Sequence, residues 1–239
     1  MALLSNLPNA SISLRVLARL LSYPDAELRG HLSDMRAALQ SDRTLPPARL
    51  VELNALMATL ESGDPLDNEA EYVAMFDRGR ATSLHLFEHV HGDSRDRGPA
   101  MIDLAQTFEK AGLFLAPGEM PDYLPVVLEF VSTQPPREAR AFLAEMAHIF
   151  NAIFNALQQR TSAYASVLGA LLELAGETAH AMRVTPDESI DAAWEEPVVF
   201  DGCSAKGQAK PGQAQPIHFV RNDAARASAQ ATENQGASQ

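Results

Sequence analysis

The sequence predicts an all-α fold, and three observations carry that expectation. Apolar residues recur at three- and four-residue spacing through most of the 239-residue chain, the period of a helix with one buried face. No stretch alternates apolar and polar residues between hairpin turns, as a half-buried strand would, and no unit repeats at a fixed period. Proline, glycine and capping residues fall between the periodic segments, where helices start and stop.

The elements follow in order. Ile12, Val16, Leu17, Leu20 and Leu21 form one face of an opening helix with Arg15 and Arg19 on the other, and Pro24 stops it past Tyr23. Leu28, Leu32, Met35 and Leu39 predict a second helix; Leu50, Leu53, Leu56, Met57 and Leu60 predict a third, ended by Gly63 and Pro65. Asn68 with Glu71 reads as a capping box before Tyr72, Val73 and Phe76, in a helix ending near Gly79. Thr82 or Ser83 can cap the next helix, with Leu84, Phe87 and His91 on one side and Gly92 as its left-handed stop. Pro99 suits the first turn of a helix through Met101, Leu104, Ala105 and Phe108. Asp122 reads as the N-cap of a helix that tolerates Pro125 in its first turn and turns Leu124, Val127, Leu128 and Val131 inward. Phe142 to Leu157 and Val167 to Leu174 supply the last two helices. From Gly202 the composition turns to Gln, Ala, Ser, Gly and Lys, which predicts a flexible tail containing one apolar island, Pro216 to Val220.

Composition restricts the function. The formal charge is −12, with 19 basic against 31 acidic residues. Residues 203–239 hold four basic and two acidic residues, so the preceding part carries −14. Such a charge repels phosphate backbones, so no nucleic-acid partner is expected. A single cysteine, Cys203, leaves neither an intrachain disulfide nor a Cys-rich zinc or iron-sulfur site. That fits the reducing cytoplasm. Neither a signal-like start nor a bilayer-length apolar run is evident, so no membrane insertion is expected. No Gly-rich phosphate loop points to a bound nucleotide or tightly held cofactor.

Two dense stretches stand out. Phe87 to Gly98 places two imidazoles (His89, His91), three acids (Glu88, Asp93, Asp96) and two guanidiniums (Arg95, Arg97) at a helix-to-helix corner. Solvated ion pairs there contribute only about 0 to 1 kcal/mol each, yet carboxylates before a helix N-terminus and forked arginines can build a rigid recognition edge. Glu119 to Phe130 places Glu119, Asp122 and Tyr123 at an expected exposed helix start, an acidic and aromatic rim suited to a basic peptide. His85-Leu86-Phe87-Glu88-His89 also matches the H-x-x-E-H pattern of zinc hydrolases, in which two histidines share a metal and the glutamate activates water. A third ligand would have to come from elsewhere, and no strong candidate follows.

Phe76-Asp77-Arg78, Ser83-Leu84, the run from Phe87 to Gly98, and Pro121-Asp122-Tyr123-Leu124-Pro125 with Leu128-Glu129-Phe130 together resemble the NarJ-type nitrate reductase assembly chaperones, within the TorD-like group of redox-enzyme maturation proteins. The likeness covers roughly residues 10–200, including Trp194-Glu195-Glu196-Pro197. It implies a single-domain helical bundle of the TorD-like chaperone type over 1–201, followed by the tail at 202–239. It also implies a cytoplasmic, system-specific chaperone without catalytic residues, metal or cofactor of its own. Such a chaperone binds the N-terminal segment of the apo catalytic (alpha) subunit of respiratory nitrate reductase. It keeps that subunit competent for molybdenum cofactor and iron-sulfur cluster insertion and is absent from the final enzyme, with molybdenum cofactor biosynthesis proteins as further partners. The family's shared corner falls on Glu88 to Gly98 and its Pro-Asp-Tyr segment on Pro121 to Tyr123. With the acidic rim, the expected partner-binding residues are Glu88, His89, His91, Asp93, Arg95, Asp96, Arg97, Glu119, Asp122 and Tyr123.

Overall fold

Buried on every side of its first two turns, the last helix seen, α10 (Ala165–Ala175), organises the core. Ser166, Val167, Leu168, Ala170, Leu171 and Leu172 are all inaccessible or nearly so, the pattern of a helix with no solvent face. The computed structural model describes residues 8–92 and 94–182. Trp194, the remainder of the expected domain from 183 and the expected tail from 202 lie outside them. Among the described residues there are ten α-helices, one 3-10 turn and no strand, which is the all-α class the periodicity predicts.

α9 (Pro136–Gln159) runs antiparallel to α10 across a short loop, so that Arg140 Nε near its start donates to the carbonyl of Ala175. Gly176 closes α10 with φ +83°, the left-handed conformation a Cβ disfavours. α1 (Ser11–Leu20) lies antiparallel to α8 (Leu124–Ser132), with Ser11 Oγ donating to the carbonyl of Ser132 at 2.6 Å. Asp42, the last residue of α3 (Leu32–Asp42), accepts from both the N–H and the hydroxyl of Ser13 on α1. α4 (Pro47–Ser62) crosses α10 where Gly169 leaves room for the guanidinium of Arg49, which reaches Glu173 at 3.1 Å. A side chain at Gly169 would push that guanidinium aside.

Several local expectations are corrected. Ile12 is half exposed while Ser13, Leu14 and Ala18 face the core, because α1 also packs on α3 through its Ser13 edge. The second expected helix is two, α2 (Ala26–Gly30) capped by Asp25 and α3, broken at His31. α5 (Pro65–Phe76) starts earlier than the Asn68 capping box suggests. Asp64 accepts the Leu66 and Asp67 amides, and Asn68 is instead buried with its side-chain amide on the carbonyl of Leu60. A cap with Pro directly behind it outcompetes a box further along the chain. Thr82 belongs to a 3-10 turn, Arg80–Thr82, and its hydroxyl donates to the carbonyl of Met75. Leu84 lies in a bend ahead of the helix, and α6 (Leu86–Val90) is only five residues long before Gly92 at φ +52°. α7 (Arg97–Lys110) contains Pro99 in its first turn but fully buries only Phe108. In α8 the four expected inward residues, Leu124, Val127, Leu128 and Val131, are all at 0% exposure.

Candidate functional site

The two dense stretches of sequence meet in space. His85 and Tyr123 form an isolated antiparallel bridge, in which the Leu86 N–H donates to the carbonyl of Asp122 at 3.0 Å and the Leu124 N–H to that of Leu84 at 2.8 Å. The Asp122 side chain flanks this bridge on the side of α6. It is fully buried, so the expectation of an exposed N-cap carboxylate is corrected: Tyr123 holds the cap position of α8, and Asp122 faces α6. Its Oδ2 accepts the Phe87 N–H at 3.3 Å, its Oδ1 faces His85 Nδ1 at 3.2 Å, and Arg97 lies 3.8 Å from Oδ2. A buried carboxylate demands such donors, since leaving it unpaired would cost several kcal/mol. The hydrogen bond from His85 to Asp122 raises the imidazole pKa above its ordinary value, against the opposing effect of burial and with further help from the Asp122 charge.

The remaining corner residues are largely tied to one another. Arg97, the first residue of α7, also reaches Glu88 at 3.5 Å. His89 Nε2–H donates to the carbonyl of Ser83 at 2.8 Å, and the His91 ring meets Phe87 edge-on at 5.4 Å. Asp96 holds the N-cap position of α7 without capping it and instead accepts from the hydroxyl of Ser94. Arg95 is exposed, and Asp93 lies outside the described residues. The three polar side chains of the H-x-x-E-H pattern thus turn to three separate partners: His85 to Asp122, Glu88 to Arg97, His89 to Ser83. No group of three or more His, Cys, Asp or Glu among the described residues is placed to hold a metal ion.

Tyr123 carries the corner into an open trench. Two adjoining hollows of about 400 and 550 Å³ share Glu119, Val126 and Glu129 and run along the outer face of α8. One end is lined by His85, Met120, Tyr123 and Pro125, the other by Phe108, Leu113, Phe114, Leu115 and Phe130. Arg15 and Arg19 of α1 form one wall, and the segment 113–120 forms the other. Phe114 is 79% exposed and Met120 42%, an apolar lip left open to water. Glu119 is exposed and accepts the Ala116 N–H at 2.8 Å; Glu129 is exposed on α8. The trench therefore has an apolar floor and charged edges, the form that receives an amphipathic helix. Sequence reasoning found Glu119, Asp122 and Tyr123 but missed Arg15, Phe108, Phe114, Val126, Glu129 and Phe130. One signal was available: Leu113-Phe114-Leu115 is an apolar run between Gly112 and Pro117, too short and too poorly flanked to be a core element.

Beneath the trench all four tyrosines of the chain gather around Tyr72. Its hydroxyl donates to the carbonyl of Leu21 at 2.7 Å and meets the Tyr123 hydroxyl at 3.3 Å. The rings of Tyr23 and Tyr164 lie edge-on to it at 5.6 and 6.0 Å. Burial pushes the phenols of Tyr72, Tyr123 and Tyr164 above their ordinary pKa.

Comparison with known proteins agrees with this architecture. A crystal structure from Archaeoglobus fulgidus, described as a redox enzyme maturation protein, superposes with a TM-score of 0.50 over 74% of this chain and 100% of that one, at 20% identity. It shares the fold. The nitrate reductase molybdenum cofactor assembly chaperone NarJ of Escherichia coli K12 is 43% identical over 196 residues, covering 77% of this chain and 83% of that protein. NarW of the same strain, named a probable chaperone of the same kind, is 38% identical over 193 residues, covering 77% and 80%. The nitrate reductase delta subunit family matches residues 30–169, a span that contains the corner, the bridge and the floor of the trench. By that match and by its identity to NarJ, the chain belongs to the nitrate reductase delta subunit family.

Proposed function

We propose that this protein is a dedicated assembly chaperone for a nitrate reductase. In this reading it binds a helical N-terminal segment of the apo catalytic subunit and keeps that subunit open for insertion of molybdenum cofactor and iron-sulfur clusters. It then leaves before the enzyme is complete. The observation that carries the reading is the trench along α8, apolar at its floor and open along its length. The names of its relatives, assembly chaperones for the nitrate reductase molybdenum cofactor, support a nitrate reductase as the client. At 1.5 Å per residue, the nine residues of α8 offer a surface roughly 14 Å long, enough for about two and a half turns of a bound helix. The acidic charge of the chain favours a basic client segment and speeds encounter with it.

Calorimetric titration with a synthetic peptide copying the first fifteen or so residues of the client tests the proposal. Ordering such a peptide costs several kcal/mol, so a Kd near micromolar, about −8 kcal/mol, is expected. Val126→Arg places a charge on the trench floor and should weaken binding at least tenfold without changing helix content. No heat at tens of micromolar protein, with the full-length client still captured, would show that the client is gripped elsewhere.

A further inference from the structure

Seven of the described residues expected to touch the client sit at the corner between α6 and α7 or are buried beneath it, and the structure gives most of them another task. Asp122 cannot reach a client, because its carboxylate is inaccessible. Everything it holds, however, bears on the trench. Its carboxylate anchors the Phe87 amide, the His85 ring and the Arg97 guanidinium, while its main-chain carbonyl takes the Leu86 amide. These bonds fix residues 84–87 against 122–124 and so fix the ring of Tyr123, tilted against that of His85 at 5.4 Å and bonded to Tyr72. Tyr123 lines the trench. Arg97 adds the outer wall: it opens α7, whose only fully buried residue is Phe108 at the far end, and the wall at 113–120 follows directly.

We infer that Asp122 is a positioning residue, through which Glu88 and Arg97 of the corner set the shape of the client trench without themselves contacting the client. This deepens the chaperone reading above and rests on it for the client, but the positioning itself is open to a test that needs none.

Arg97→Ala, Arg97→Lys, Asp122→Asn and the double variant Arg97→Ala/Asp122→Asn separate the possibilities. In hydrogen exchange, Arg97→Ala and Asp122→Asn should each lower protection of the Leu86, Phe87 and Leu124 amides at least tenfold, leaving Leu168 in the core unchanged. Unaltered protection at the bridge would overturn the inference whatever the peptide does. In titration with the client peptide, each of these two variants should weaken binding about tenfold and the double variant no more than either alone, since both act through one device. Arg97→Lys keeps the charge but not the fork and should fall between wild type and Arg97→Ala. If the losses multiply in the double variant, Arg97 touches the client directly and the inference fails. If wild type binds no peptide while the exchange result holds, the trench is not the seat of the client's N-terminal segment and the positioning role stands.

Discussion

A single carboxylate, Asp122, shows how a residue can read one way along the chain and another in space. Asp before an apolar run containing Pro is the signature of an N-cap, and the signal is local. The partners that claim Asp122, His85 and Phe87, lie 35 or more residues earlier, and no local pattern announces them. The His85 bond gives the pair a pH dependence whose sign is fixed. The imidazole pKa is raised in the folded state, so its contribution is fully present below the unfolded value near 6.5 and is lost as pH rises through the folded value. Melting temperatures measured from about pH 5.5 to 8.5 should therefore fall more for wild type than for His85→Gln, once other titrations common to both are subtracted. Equal slopes would mean that the bond contributes nothing. Thr161 offers a test of a different kind. It holds φ +55° just after α9 and is exposed, a left-handed conformation that a β-branched residue adopts at a cost. Thr161→Gly should raise the unfolding free energy by up to about 1 kcal/mol in denaturant titration, less whatever Gly loses in unfolded-chain entropy.

At the scale of elements, legibility followed periodicity. α1, α4, α8 and α9 are readable because a 3.6-residue apolar period runs between clear stops, and all four residues expected to face inward on α8 do so, though Phe130 is buried beside them. The site was readable in part. Its two motif stretches stood out by composition, but the trench wall did not, because residues 113–120 have neither helical nor strand period and their apolar side chains face the opening. α7 is the least secured element at this scale. It is tied at its start by Arg97, along its middle by the partly buried Leu104 and near its end by Phe108, whose ring lies 4.5 Å from that of Phe130, while Ile102 is 60% exposed. An element held at so few points opens without global unfolding. Within residues 94–182, limited proteolysis should cut first at 111–118, and Phe108→Ala should hasten that cut severalfold, since removing a buried Phe forfeits about 3 to 5 kcal/mol of packing. First cleavage within α9 or α10 would contradict this ranking.

The whole molecule combines a strong negative charge with an apolar trench, and the two contribute differently to binding. Apolar contact supplies affinity, whereas charge supplies attraction at a distance that salt screens with a length of about 8 Å at physiological strength. Glu119→Lys and Glu129→Lys, both on exposed trench-lining positions, should each weaken a basic client peptide severalfold and flatten its salt dependence, while leaving the melting temperature nearly unchanged. Identical salt slopes for variants and wild type would place the relevant charge elsewhere. The tyrosine cluster has a consequence of an optical sort. Because the other three phenol rings of the chain are packed about Tyr72, and one of them, Tyr123, also lines the trench, the molecule carries a built-in chiral chromophore whose edge is the trench proposed to seat the client. A client lacking aromatic residues would then announce its arrival as a change in the near-ultraviolet circular dichroism of tyrosine, with no label attached.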